Sequence, residues 1–128
     1  MSLRSPLGRV LGHGSAKEGT GHFWSQRLTA ISNAVLGVWF LAAMLGMESF
    51  TQAELRAWIA APVNAVLLTL LTLSLARHAS LGVQVVIEDY VHGPLMKVSS
   101  LIVMKFAHIV VAAAALFAIL KIAVGGAA

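Results

Sequence analysis

Two stretches of about 20 residues without a single charge, Leu28–Met47 and Ala57–Ala76, constrain this chain more than any motif it carries. Each has the length needed to cross ~30 Å of hydrocarbon at about 1.5 Å per helical residue. A third run, Val98–Val124, is interrupted by Lys105 and His108 and, near its far end, by Lys121. Of the 128 residues, 59% are hydrophobic and 11% charged, with a mean hydropathy of +0.86. A water-soluble domain of this size has too little interior for that much apolar surface. The expected fold is an all-α membrane protein with three transmembrane helices at about 26–47, 57–87 and 98–124. They form one anchor domain, residues 24–125, behind a leader, residues 1–23.

The second run has no clean stop at Ala76. Apolar character continues past Arg77 and His78 to Ile87, and a continuous helix from Ala57 would be about 45 Å long. Such a helix must tilt or project beyond the bilayer. Pro62 is tolerable only near its start, because proline lacks an amide donor. Gly93-Pro94 ends it at the far side.

The net charge is +4, but the basic residues are scattered at segment edges, which argues against nucleic acid and for membrane orientation. Arg4, Arg9, Lys17 and Arg27 precede the first run, whereas the loop Glu48–Arg56 holds two acids and one base. This places the N-terminus in the cytoplasm of a bacterial inner membrane, or in the matrix for a mitochondrial inner membrane. Lys97 and Lys105 agree with that orientation; Lys121 dissents. The absence of cysteine excludes disulfides, thiolate zinc and iron–sulfur ligation by this chain.

The leader has no cleavable secretory signal of the usual form, and its basic, acid-poor start faintly resembles a transit peptide. Leu3, Leu7, Val10 and Leu11 have helical spacing, which suits a turn lying in the membrane interface. Gly8, Gly12, Gly14 and Gly19 suit a flexible tail instead. Small residues four apart (Ala30 and Ala34, Ala42 and Gly46, Ala114 and Ala118) offer faces for close helix packing. Trp24 and Trp58 sit near span ends as an aromatic belt requires, whereas Trp39 is deeper.

Ionisable groups are costly in hydrocarbon and tend to face a protein interior, a cofactor or a pathway. With about 100° per residue, Leu71, Ser74, His78, Gly82, Val85 and Asp89 fall on one helix face. His78 has three readings: a hydrogen-bonded packing residue, a proton carrier, or a metal or haem ligand. Gly82, one turn on, removes a side chain where a flat macrocycle would need room. Arg77 suits either a haem propionate or the snorkelling role of an interfacial arginine. Glu88, Asp89 and Tyr90 read as a polar helix end, or as a proton-handling pair beside a reducible carbonyl. His13, His22 and His92 fall outside the spans, and His108 is a second internal polar site without an assigned role. No P-loop, nucleophile–base pair or metalloprotease motif is present, so the chain carries no catalytic residues of its own.

Two segments carry a family resemblance. One is His22-Phe23-Trp24-Ser25-Gln26-Arg27-Leu28-Thr29-Ala30, where an aromatic pair precedes Arg-x-Thr-Ala at the start of the first span. The other is His78 with Gly82 four residues on and Asp89-Tyr90 eleven and twelve residues on. With the three-span layout, they resemble the D-type hydrophobic membrane anchor of succinate dehydrogenase, the succinate:quinone oxidoreductase also called complex II. The serine-containing His-Arg signature of the larger C-type anchor is not seen.

The resemblance implies that His78 is one axial ligand of a haem b iron, the second coming from a C-type anchor subunit that completes the bundle. It implies that Tyr90 hydrogen-bonds ubiquinone with Asp89 in support, and that Arg27 lies near the haem and quinone. The chain would also dock an iron–sulfur subunit and a flavoprotein subunit. Glu88 and His108 receive no role from it, and some members of the family lack haem. Two other classes remain open: a small oligomeric proton-coupled transporter using His78 and Asp89, and a cofactor-free structural subunit of a respiratory complex.

Overall fold

The computed structural model describes residues 19–125 together with Leu7 and Val10. Within residues 19–125, four helices follow in order: α1 (Gly19–Leu45), α2 (Gln52–Ala60), α3 (Pro62–Tyr90) and α4 (Pro94–Gly125). Of these, α1, α3 and α4 are long and apolar enough to cross a membrane. The expected all-α, three-span architecture is what the chain adopts. The interfacial reading of the leader falls mostly outside the described residues; Leu7 and Val10 are helical and exposed.

The second span starts at Pro62 rather than at Ala57, and the reason is local. Proline has no N–H for the helical ladder and biases its predecessor towards extended backbone. Ala61 accordingly sits at φ −62°, ψ 126°, ending α2 and opening α3 with proline in its first turn. Asn64 Nδ2 donates to Trp58 O across the break at 2.9 Å. The short α2 is capped by Thr51, whose hydroxyl accepts from Glu54 N at 3.3 Å. Ser49 also donates to the Glu54 carboxylate.

The outer spans are longer than the uncharged runs alone indicated. α1 begins at Gly19, taking in residues 19–23 of the expected leader, and α4 begins at Pro94. At about 1.5 Å per residue, the 29 residues of α3 reach roughly 43 Å, so the helix projects past a ~30 Å hydrocarbon layer.

α3 is the central helix, packing against α1 on one side and α4 on the other. The chain buries few residues alone: Ala65, Leu71 and Leu81 on α3 and Met104 on α4. Large apolar side chains such as Val35, Phe106 and Phe117 are exposed, as expected where lipid or another membrane chain is the solvent. Ala34, Ala42, Gly46, Ala114 and Ala118 also face outward and are not consumed by packing within the chain. Trp39 is deeper than a belt residue because it stacks on Trp58 (centroids 5.7 Å apart, 22° between planes). Phe40 adds an edge contact at 6.2 Å.

Candidate functional site at the crossing of the first and third helices

α1 presents a polar stripe, His22, Gln26, Thr29 and Asn33, at intervals of four, three and four residues. That spacing holds one helix face, and the half-buried stripe meets α3 at Ser74, His78 and Gly82. The Thr29 hydroxyl donates to Ser25 O at 2.7 Å, with Gln26 O at 3.1 Å. His78 Nδ1 lies 3.0 Å from the same hydroxyl oxygen. Ser74 Oγ donates to Thr29 O at 3.3 Å, a second tie between the helices.

These distances assign the histidine tautomer. A threonine hydroxyl has one proton, and a peptide oxygen has none to give. The 2.7 Å contact to Ser25 O takes that proton, so the imidazole supplies the other: Nδ1–H donates to Thr29 Oγ1. In the neutral ring Nε2 then carries the lone pair that a ligand or acceptor needs. Among the described residues no group of three or more His, Asp or Glu side chains could form a metal cage, so His78 stands as a single donor.

The surroundings of His78 leave polar capacity unused. Gln26 Oε1, His22 Nε2 and Asn33 Oδ1 are buried atoms without hydrogen-bond partners. Such an atom ordinarily costs about 1–3 kcal/mol. A Cβ on Gly82 would meet only Gln26 Nε2, at 4.0 Å. The glycine is thus not demanded by close helix contact, and the space beside it is open.

The other predicted residues are distributed differently. Arg77 is exposed and lines two grooves, one against α4 and one shared with His22 and Ser25 of α1. Arg27 is exposed and stacks its guanidinium over Phe23, 5.2 Å from the ring centroid. Asp89 and Tyr90 are exposed at the end of α3, with Tyr90 77% accessible. Around them, Glu88 accepts from Gln84 Nε2 at 2.8 Å, Lys97 Nζ donates to Glu88 O at 2.7 Å, and His92 Nδ1 donates to Tyr90 O at 3.1 Å. A polar groove of about 890 Å³ runs beside them, lined by His22, Ser25, Arg77, Gln84, Glu88 and Lys105.

Sequence reasoning placed His78, Gly82 and Ser74 on one face but passed over their counterparts Gln26 and Thr29. The available signal was the polar periodicity of α1 from His22 to Asn33.

The comparisons agree with this layout. Residues 1–120 match the family model described as succinate dehydrogenase/fumarate reductase transmembrane subunit. A succinate dehydrogenase hydrophobic membrane anchor subunit from Rickettsia bellii (strain RML369-C) is 30% identical over 118 residues, covering 91% of this chain and 94% of that protein. The corresponding anchor subunit of Paracoccus denitrificans is 29% identical over 125 residues, covering 98% and 96%. The chain therefore belongs to the succinate dehydrogenase/fumarate reductase transmembrane subunit family, as a membrane anchor subunit of succinate dehydrogenase.

Proposed function

We propose that this chain supplies one axial ligand, His78, to a haem b and one wall of a ubiquinone site at Tyr90. In this reading it holds a flavoprotein and an iron–sulfur subunit at the membrane face, and a C-type anchor contributes the second histidine. The membrane is a bacterial inner membrane, with the N-terminus and the α3–α4 turn on the cytoplasmic side. The supporting observation is the Thr29–His78 hydrogen bond, which leaves Nε2 with its lone pair. Metal-bound histidines characteristically donate their other ring N–H to an oxygen, fixing ring orientation and raising ligand basicity. The open side of Gly82 and the unpaired Gln26 Oε1 suit a flat group with polar edges lying along this seam.

A bound haem would supply a one-electron carrier within the membrane. The chain's own residues do the rest. Thr29 and Ser74 hold α1 against α3 and orient the imidazole. At the helix end, the Tyr90 hydroxyl is free to donate to a quinone carbonyl, and the neighbouring Asp89 carboxylate can pass a proton to it. Both side chains are exposed in this chain alone, which suits a site whose remaining walls come from partner subunits. Arg27 borders the same region from α1. Arg77 lines the polar groove that His22 and Ser25 of α1 share, where its guanidinium would pair with a haem propionate.

The transporter alternative calls for an acid facing His78 within the span; Glu88 and Asp89 instead stand exposed at the end of α3. The decisive experiment is His78→Ala in the purified complex, followed by absorption spectroscopy. Loss of the low-spin b-type bands with partner subunits still bound is expected; intact bands would reject His78 as ligand.

A further inference from the structure

A second polar position inside the membrane lies on the other side of α3, where it packs against α4. An apolar slot of about 420 Å³ is lined by residues that include Thr72, Leu75, Ala79 and Val111. It shares Ala76, His108 and Ala112 with a smaller groove of about 360 Å³ lined also by Arg77, Ser80 and Lys105. The two grooves adjoin along these three residues, one apolar and the other carrying the cations. Among the described residues no acid lines this smaller groove, whereas on their other side Arg77 and Lys105 border the polar groove that holds Glu88. Both volumes fall within the roughly 300–1,000 Å³ typical of small-ligand pockets.

The depth of the cations matches a headgroup. Lys105 is 20 residues from Gly125, so about 30 Å separates it from the far end of α4, one hydrocarbon thickness. Arg77 is 15 residues from Pro62, about 22 Å along α3 from the same far side. Lys105 therefore stands near the hydrocarbon boundary on the α3–α4 turn side and Arg77 about 8 Å deeper, from where its long side chain can snorkel outward, while the slot runs from them towards mid-membrane. His108, at the junction, donates Nδ1–H to Met104 O at 2.8 Å, which leaves its Nε2 edge for a ligand. Ser80 Oγ is engaged only by a long contact of 3.6 Å to Met104 Sδ. Two cations, a hydroxyl and an imidazole edge thus surround the mouth of a hydrocarbon-lined slot.

We propose that these adjoining grooves bind one anionic phospholipid from the leaflet on the α3–α4 turn side. Arg77 and Lys105 neutralise its phosphate, Ser80 donates to a phosphate oxygen, and one acyl chain fills the slot beside Ala76 and Ala112. This site is separate from the His78 seam.

The test uses the membrane complex containing this chain, equilibrated with vesicles of equal parts phosphatidylglycerol and phosphatidylcholine. The complex is then extracted in mild detergent and its retained lipid identified by native mass spectrometry. Wild type is expected to keep phosphatidylglycerol in preference to phosphatidylcholine, by about tenfold. Arg77→Gln with Lys105→Gln should abolish the preference, and Ala112→Phe should expel the lipid by filling the slot. Equal retention of both lipids by wild type, or a preference unchanged in the charge variant, overturns the proposal. A photocrosslinking residue in place of Ala79 gives an independent reading that does not depend on the charge variant folding. A phospholipid adduct supports the site, whereas crosslinking to another protein chain means a partner helix covers the groove and overturns it. Haem spectra should be unaffected in Ala112→Phe.

Discussion

Thr29 and His78 are 49 residues apart in sequence and 3.0 Å apart across the α1–α3 crossing. The contact joins the two sequence segments that carry the family resemblance, so the Arg-x-Thr-Ala start of the first span and the histidine of the second form one unit. The threonine is fixed first by its own helix, through Ser25 O, and then receives the imidazole proton. A hydroxyl bonded to the carbonyl four residues back is a common helical habit, and here it turns the lone pair towards α3.

Thr29→Val keeps the shape and removes the acceptor. Losing such a partner of a metal-bound histidine typically lowers metal affinity about 10–100-fold. Haem content per complex, measured as the pyridine haemochrome, should fall in Thr29→Val and recover in Thr29→Ser. Nitrogen-15 spectra of His78 in haem-free preparations should lose the single Nδ1–H tautomer in the valine variant alone. Full haem occupancy with an unchanged tautomer in Thr29→Val would refute the assignment.

Gly82 separates two explanations for a small residue in a helix. Were it needed for close helix approach, any added carbon would clash; instead a Cβ meets Gln26 Nε2 at 4.0 Å, ordinary contact. Replacing a helical glycine with alanine gains roughly 0.5–1 kcal/mol of helix propensity. Gly82→Ala should therefore assemble with a thermal midpoint no lower than wild type. Gly82→Leu should assemble but lose haem, because its side chain projects into the space beside His78. A drop in assembly for Gly82→Ala would show that the glycine serves packing.

The Trp39–Trp58 stack ties α1 to α2, away from His78. Aromatic pairs contribute about 0.5–1.5 kcal/mol beyond their buried area. Trp58→Ala should lower the melting temperature of the complex by several degrees while leaving the haem spectrum and quinone kinetics as in wild type. A spectral change would mean that the two ends of the bundle are coupled.

What sequence could show depended on range. Hydrophobic run length and charge fixed the three spans, because lipid imposes those requirements one segment at a time. The histidine face of α3 was equally legible, since Ser74, His78 and Gly82 follow from one helical period. The break at Pro62 was placed inside a longer helix: proline was recognised, but its bias of Ala61 towards extended backbone moves the helix start by five residues, and Asn64 then bonds Trp58 O across the break. The role of Thr29 was hidden because it arises between helices, as was the stack explaining the depth of Trp39. Arg77, about 100° of helix rotation from His78, lines a groove against α4 as well as the polar groove shared with His22 and Ser25, a double placement that no single helix could show.

Tyr90 offers the cleanest separation of electron entry from quinone chemistry. It is 77% accessible at the end of α3, and its backbone carbonyl, not its hydroxyl, is engaged by His92. The phenol is therefore available to a ligand. Tyr90→Phe removes one hydrogen-bond donor, which at about 1–1.5 kcal/mol corresponds to a five- to tenfold loss in kcat/KM for ubiquinone. Succinate oxidation measured with an artificial dye, which bypasses the membrane site, should stay within error of wild type. Asp89→Asn should reduce kcat for quinone more than it raises KM, because a carboxylate that moves protons contributes to turnover rather than to binding. Unchanged quinone kinetics in Tyr90→Phe would remove Tyr90 from the site. Equal losses with dye and quinone would place the defect in subunit docking instead.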